Sequence, residues 1–101
     1  MAEVQLSLNE RQKGRFYIME EGKQVAEMVV GIAGTHLTAY HTEVVKEAEG
    51  KGLAKLLFQE MVNYVRHNGL KVIPLCPYVL AQFQRHPEDY ADIWEKQAPH
   101  S

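Results

Sequence analysis

The stretch HLTAYHTEVVKEAEGKGLAKLLFQEMVNYVRHNGLKVIPLC, residues 36–76, decides the fold. It begins with β-branched and aromatic residues: His36, Leu37, Thr38, Tyr40, Thr42, Val44 and Val45 read as a strand. At Gly50 the period changes. Leu53, Leu56, Leu57, Met61, Tyr64 and Val65 recur at the i, i+3, i+4, i+7 spacing of an amphipathic helix. Ala54, Phe58 and Val62 widen that stripe, so the helix is expected to bury one side well. Asn68-Gly69 stops it, with glycine suited to a left-handed cap. LKVIPLC, residues 70–76, then reads as a short buried strand, although Pro74 cannot donate a ladder hydrogen bond.

Working outward, Val4, Leu6 and Leu8 alternate with polar neighbours and suggest a half-buried first strand. Phe16, Tyr17, Ile18 and Met19 suggest a second. Glu20-Glu21-Gly22-Lys23 is a turn, and residues 25–32 form a third strand whose end is marked by Gly31 and Gly34. Beyond the decisive stretch, a helix is expected from near Tyr78 to His86, ended by Pro87. A last helical turn follows over 88–94, and a frayed tail from Gln97. The expected fold class is α/β (α+β): a mixed sheet of about five strands, built as an antiparallel meander followed by a strand–helix–strand unit and a C-terminal helix. One domain accounts for residues 1–101.

Composition narrows the function classes. The 101 residues are 46% hydrophobic and 24% charged, which is ordinary for a globular chain and not for a disordered one. A net charge of −2 argues against non-specific nucleic-acid binding. The one cysteine, Cys76, excludes an internal disulfide and any zinc site built from several cysteines. No signal-like start and no run of about 18 apolar residues is present, so a cytoplasmic protein without a membrane partner is expected. His36 and His41, with Glu43, have a spacing that does not turn both imidazoles to one face of a strand; no metal site is expected. His67 and His100 read as surface residues.

Glu49-Gly50-Lys51-Gly52-Leu53-Ala54 lies between a strand and the helix. Glycines permit a sharp turn, and the first-turn amides of a helix lack intrahelical acceptors and sit at the positive end of its dipole. A phosphate or pyrophosphate is the natural guest. Lys51 and Lys55 add positive charge there, and Lys51, Lys55, Arg66 and Lys71 stand against Glu60 alone over this region. The residues are neither a P-loop nor a dinucleotide fingerprint. A glycine connection that holds no ligand fits the six residues equally well.

The same hexapeptide resembles the Q/R-x-x-G-x-G/A acyl-CoA signature of the GNAT superfamily of N-acetyltransferases, with Gly52 and Ala54 at its last two defined positions. HTEVVKEAEGKGLAKLLFQEMVNYVR, KVIPLCPYV and HPEDYADIW together are similar to a subgroup of very small GNAT-like proteins of about this length. The resemblance runs from about His36 to Trp94. It implies acetyl-CoA or CoA as cofactor, with the turn residues Glu49, Gly50, Lys51, Gly52, Leu53, Ala54 and Lys55 around the pyrophosphate. It also implies Val44 and Val45 pairing with the pantetheine amides, and Tyr78 beside the cofactor. Glu49 stands where Gln or Arg is usual, and a carboxylate repels a pyrophosphate unless it points away or pairs with Lys51.

Acetyl transfer to an amine needs a base, a polarised thioester and a proton for the departing thiolate. His41 is the candidate base, since its reference pKa lies near neutrality. Glu43 shares its face by two-residue periodicity and could orient it, act through water, or be solvated. Cys76 ends the last strand, where the resemblance places it facing the acyl group. It either takes the acetyl group covalently, activated by His41, or lines the pocket while the amine attacks directly; direct transfer is the superfamily norm. A lone cysteine is also commonly a buried, inert side chain. The usual GNAT acid is a tyrosine four residues after an alanine; counting from Ala81 gives Arg85, and Tyr78 and Tyr90 are the nearby phenols. The expected activity is N-acetyl transfer from acetyl-CoA to a primary amine of unknown identity, by a monomer or weak homodimer. Strands open the sequence, so the acceptor groove is expected to be open and shallow. The rival functions are a CoA-binding module with little turnover and a protein-interaction domain that keeps only the fold.

Overall fold

Residues 3–96 are described by a computed structural model. Five strands, β1 (Val4–Leu8), β2 (Lys13–Glu20), β3 (Lys23–Ala33), β4 (His36–Val44) and β5 (Lys71–Pro74), lie side by side in chain order. The first four pair antiparallel. Helix α1 (Leu53–His67) crosses over so that β5 joins β4 in parallel. Helix α2 (Pro77–Arg85) and the single turn α3 (Pro87–Tyr90) follow. The mixed five-stranded α+β architecture is the one the periodicities specify.

Two-residue alternation sends Phe16, Ile18, Ala26, Met28, Val30, Leu37 and Ala39 to one face of the sheet, where all are buried. Leu53, Leu57, Phe58, Met61, Val62 and Val65 of α1 fill the space above them. The Phe58 ring then meets Phe83 of α2 and Tyr90 of α3 edge-on, with centroids 5.9 and 5.3 Å away. Thus the described helices share one side of the sheet. The opposite face carries polar side chains, among them Gln5, Arg15, Tyr17, Glu27 and Glu43.

A β-bulge changes the phase of β4. Val29 pairs with His41 but Val30 pairs with Ala39, so Tyr40 has no opposite number. Before the bulge the core-facing residues are Leu37 and Ala39. After it, Thr42 and Val44 lie opposite the buried Met28 and Ala26. His41 and Glu43 therefore project to the polar face.

Two segments differ from the sequence expectation. The last strand ends at Pro74, not Cys76, because the Leu75 N–H turns back to Ile73 O (3.1 Å) instead of continuing the ladder to β4. The nitrogen of Pro74 lies in the phase of Val72, on the outer edge, where a missing N–H costs no bond to β4. The helical turn expected over 88–94 stops at Tyr90. Trp94 instead forms a parallel bridge with Val72, whose N–H bonds to Ile93 O (2.6 Å) while its O accepts from Glu95 N–H (2.9 Å). The outer edge of β5 would otherwise leave these backbone groups without a strand partner, and this pairing satisfies them. Arg66 at the end of α1 holds the same segment, bonding both Asp92 carboxylate oxygens (3.0 and 3.2 Å) and Asp89 O (2.7 Å). Lys71 Nζ donates to Asp92 O. Arg66 and Lys71 are thus structural, and only Lys51 and Lys55 of the basic set lie near the glycine turn. The tail from Gln97 lies outside the described residues.

Candidate active site

The site begins where β4 and β5 part. Their register runs from His36 opposite Lys71 to Ala39 opposite Pro74. One more bond, Cys76 N–H to Ala39 O at 2.8 Å, closes the pairing. Leu75 N–H, the next donor in the phase that faces β4, is turned back onto Ile73 O instead, and Pro77 at the first position of α2 sets the chain into a helix. The outer half of β4 is left as a free edge. Val45 N–H bonds to Val25 O (2.9 Å) and Val45 O accepts from Ala48 N–H (3.0 Å), so Val45 is committed to the fold. Since backbone direction alternates along a strand, Thr42 and Val44 turn their amide and carbonyl groups toward the gap. Of the two valines expected to offer backbone bonds, Val44 is the one so directed.

This edge runs, through the short 3-10 turn Lys46–Ala48, into the glycine segment. Gly50 and Gly52 have φ of 85° and 75°, values that side chains disfavour. A Cβ at either position would meet nothing within 4 Å. Backbone hand, not crowding inside the protein, calls for glycine, and the approach to these amides is open. Gly52 caps α1 without a side-chain bond, and the first turn holds no acidic residue. The donors there suit an anion. Lys51 is held by Glu20 (Nζ to Oε1, 3.3 Å) beside a hollow of about 260 Å³ lined also by Lys23, Val45, Glu47 and Ala48. Glu49 and Lys55 are exposed; Leu53 is buried and Ala54 partly so.

At the fork, buried Cys76 lies with its Sγ 3.2 Å from Thr42 Oγ1. His41, one residue earlier on β4, projects from the other face, so Thr42 is the neighbour of the sulfur. Tyr78 packs edge-on to Phe58 at 6.2 Å. Its burial pushes the phenol pKa up, against the opposing charge of Arg85, so it keeps its proton at neutral pH.

On the polar face His41 Nε2 approaches Glu27 Oε2 (3.9 Å) and Glu43 Oε1 (4.0 Å). One ligand atom from each of these three residues lies within 4.8 Å of the others. Contrary to the expectation from the spacing, the bulge puts His36 on this face as well, but it is bonded to Glu95 at 2.9 Å and stands apart from the group. Glu27 was not singled out from the sequence. Its signal is a lone carboxylate in the outward phase of the apolar run Val25–Val30. Thr42, the partner of Cys76, had no signal beyond being a strand threonine.

Solved structures share this arrangement of strands and helices. A GCN5-like protein from Staphylococcus aureus, known from solution NMR, is 25% identical over 100% of both chains with a TM-score of 0.66. The ribosomal-protein-alanine N-acetyltransferase of Brucella melitensis is 17% identical over 91% of this chain and 68% of its own, with a TM-score of 0.62. The ribosomal-protein-S18-alanine N-acetyltransferase of Escherichia coli matches over 65% of this chain at 18% identity with a TM-score of 0.59; the match spans 43% of that enzyme. No curated protein matches the chain. The fold is thus that of an acetyltransferase. Residues 15–93 match the family described as GCN5-related N-acetyl-transferase, and the chain belongs to that family.

Proposed function

We propose that the protein transfers an acetyl group from acetyl-CoA to a primary amine approaching from the polar face of the sheet. The observation that carries this reading is the free edge of β4, opened where β5 turns away at Leu75 and leading directly into the uncapped glycine start of α1. A strand edge offers partners for amides, and the helix start offers donors for a diphosphate. Val44 and Thr42 would pair with the pantetheine arm; Gly50, Lys51, Gly52, Leu53, Ala54 and Lys55 would surround the diphosphate, with Glu49 turned to solvent. The bound cofactor supplies an activated thioester. His41 takes one proton from the acceptor ammonium, and Glu43 lends negative charge to hold that ammonium nearby. The amine nitrogen then bonds to the acetyl carbon as the carbon–sulfur bond breaks. Its second proton ends on the departing sulfur, with Tyr78 the protonated phenol closest to Cys76 in sequence.

Cys76 is read as lining the acyl pocket, since its thiol is buried and its neighbour is Thr42 rather than His41. Intact mass after exposure to acetyl-CoA tests this. No adduct in the wild type is expected; an adduct absent from Cys76→Ala would establish a covalent route instead. Coenzyme A titrated into the labelled protein should shift the amides of Thr42, Val44, Gly50 and Gly52. Acetylation of a panel of alkylamines should follow in the wild type and fall at least tenfold in His41→Ala. Binding without turnover across the panel would favour the second reading, a CoA-binding module. Arg85, at the position of the usual tyrosine acid, points toward that alternative.

A further inference from the structure

We infer that Glu27, on the central strand β3, is the positioning residue for His41; this rests on the reading of His41 as base. The two Glu27 oxygens face different partners. Oε1 accepts a hydrogen bond from Gln24 Nε2 (3.1 Å) and lies 3.8 Å from Arg15 Nε. Arg15 Nε in turn donates to Gln24 Oε1 (2.8 Å), and its guanidinium lies over the Tyr17 ring at 4.4 Å. Oε2 is left for His41 Nε2. One end of the carboxylate is anchored by β2 and β3, and the other is presented to the imidazole.

Glu43 comes equally near to His41 but with 73% of its side chain exposed, against 25% for Glu27. A long, solvated side chain loses more rotamer freedom for such a contact and gains less from it. The residue directly opposite Glu27 on β4 is Glu43, and that opposite His41 is Val29, so Glu27 reaches the imidazole along the diagonal of the ladder. The charged groups facing His41 are therefore Glu27 and Arg15 from β3 and β2, and Glu43 from its own strand. At 3.9 Å the contact is electrostatic rather than a hydrogen bond, so Glu27 acts by holding the ring on the side of β3.

The test follows the His41 ring and its χ1 couplings by NMR in the full chain, a readout that does not need an identified acceptor. Replacing Glu27 by Gln should lower the population of the His41 rotamer that faces β3 by about twofold or more, while the backbone amide spectrum stays in place. Glu27→Asp should restore part of that population and guards against a fold defect, while Glu43→Gln should change it clearly less. An unchanged rotamer in Glu27→Gln, or a larger effect from Glu43→Gln, overturns the assignment of Glu27 alone. If His41→Ala transfers acetyl at the wild-type rate on the alkylamine panel, the base reading fails, and the positioning role fails with it. Where transfer is measured, Glu27→Gln should lower kcat severalfold and leave the KM for acetyl-CoA in place, and Glu27→Asp should recover part of that loss.

Discussion

Gly52 adopts a φ of 75° where α1 begins, and alanine there would be strained by about 1 kcal/mol. Gly52→Ala should lower the thermal midpoint by roughly 4–8 °C and weaken stabilisation by coenzyme A beyond that loss, as read from melts with and without ligand. The glycine turn and its placement before a helix were legible because glycine and the change of period are local signals. The phase change at Tyr40 was not legible. Nothing in Ala39-Tyr40-His41 announces a bulge, which arises from how β3 and β4 register under one helix layer. Strict alternation along the strand would put His36 and His41 on opposite faces; past the bulge, what surrounds His41 is decided by β3, and its neighbours are Glu27 and Glu43. Such cross-strand partners, 14 residues apart for Glu27 and His41, leave no local pattern.

At the level of elements, α2 is docked by Phe83, which is fully buried against Phe58, Tyr90 and Trp94. Phe83→Ala should cost about 3–5 kcal/mol, measured by denaturant unfolding, and loosen the wall that carries Cys76. The Arg66–Asp92 pair is 43% and 59% exposed and contributes at most about 1 kcal/mol. Its hydrogen bond holds the Asp92 carboxyl below its ordinary value. The folded state therefore binds that proton less readily than the unfolded chain. The pair's contribution is complete above about pH 4 and fades as pH falls through the depressed value. Asp92→Asn should lower stability slightly at neutral pH and flatten the acid limb of a stability profile. Helix α1 was plain from its apolar stripe. The partnering of Trp94 with Val72 was hidden, because PEDYADIW has helical spacing and only the bare edge of β5 gives residues 93–95 an extended partner.

Across the whole molecule, the described helices cover one side of a five-stranded sheet and leave the side bearing Arg15, Glu27, His41 and Glu43 reachable. No described helix is long and apolar enough to cross a membrane. The meander and the strand–helix–strand unit were legible in the periodicities and the glycine turn, whereas the fork was implied only by the family resemblance that put Cys76 at the end of the last strand. The acceptor was beyond reach, since a reachable polar face has no enclosing shape to translate into a substrate. If coenzyme A binds the native chain alone, a concentration roughly one hundred times Kd should add about 2.7 kcal/mol of stability, visible in a melt.

The turn at Leu75 has a kinetic corollary. Its N–H is tied to Ile73 O and the chain enters α2 at Pro77, so no extended backbone remains to zip against the outer half of β4, and the slot persists without a guest to prop it apart. Loading should then be a one-step encounter: in stopped-flow mixing, observed rates should rise linearly with coenzyme A concentration and show no plateau from a prior opening event.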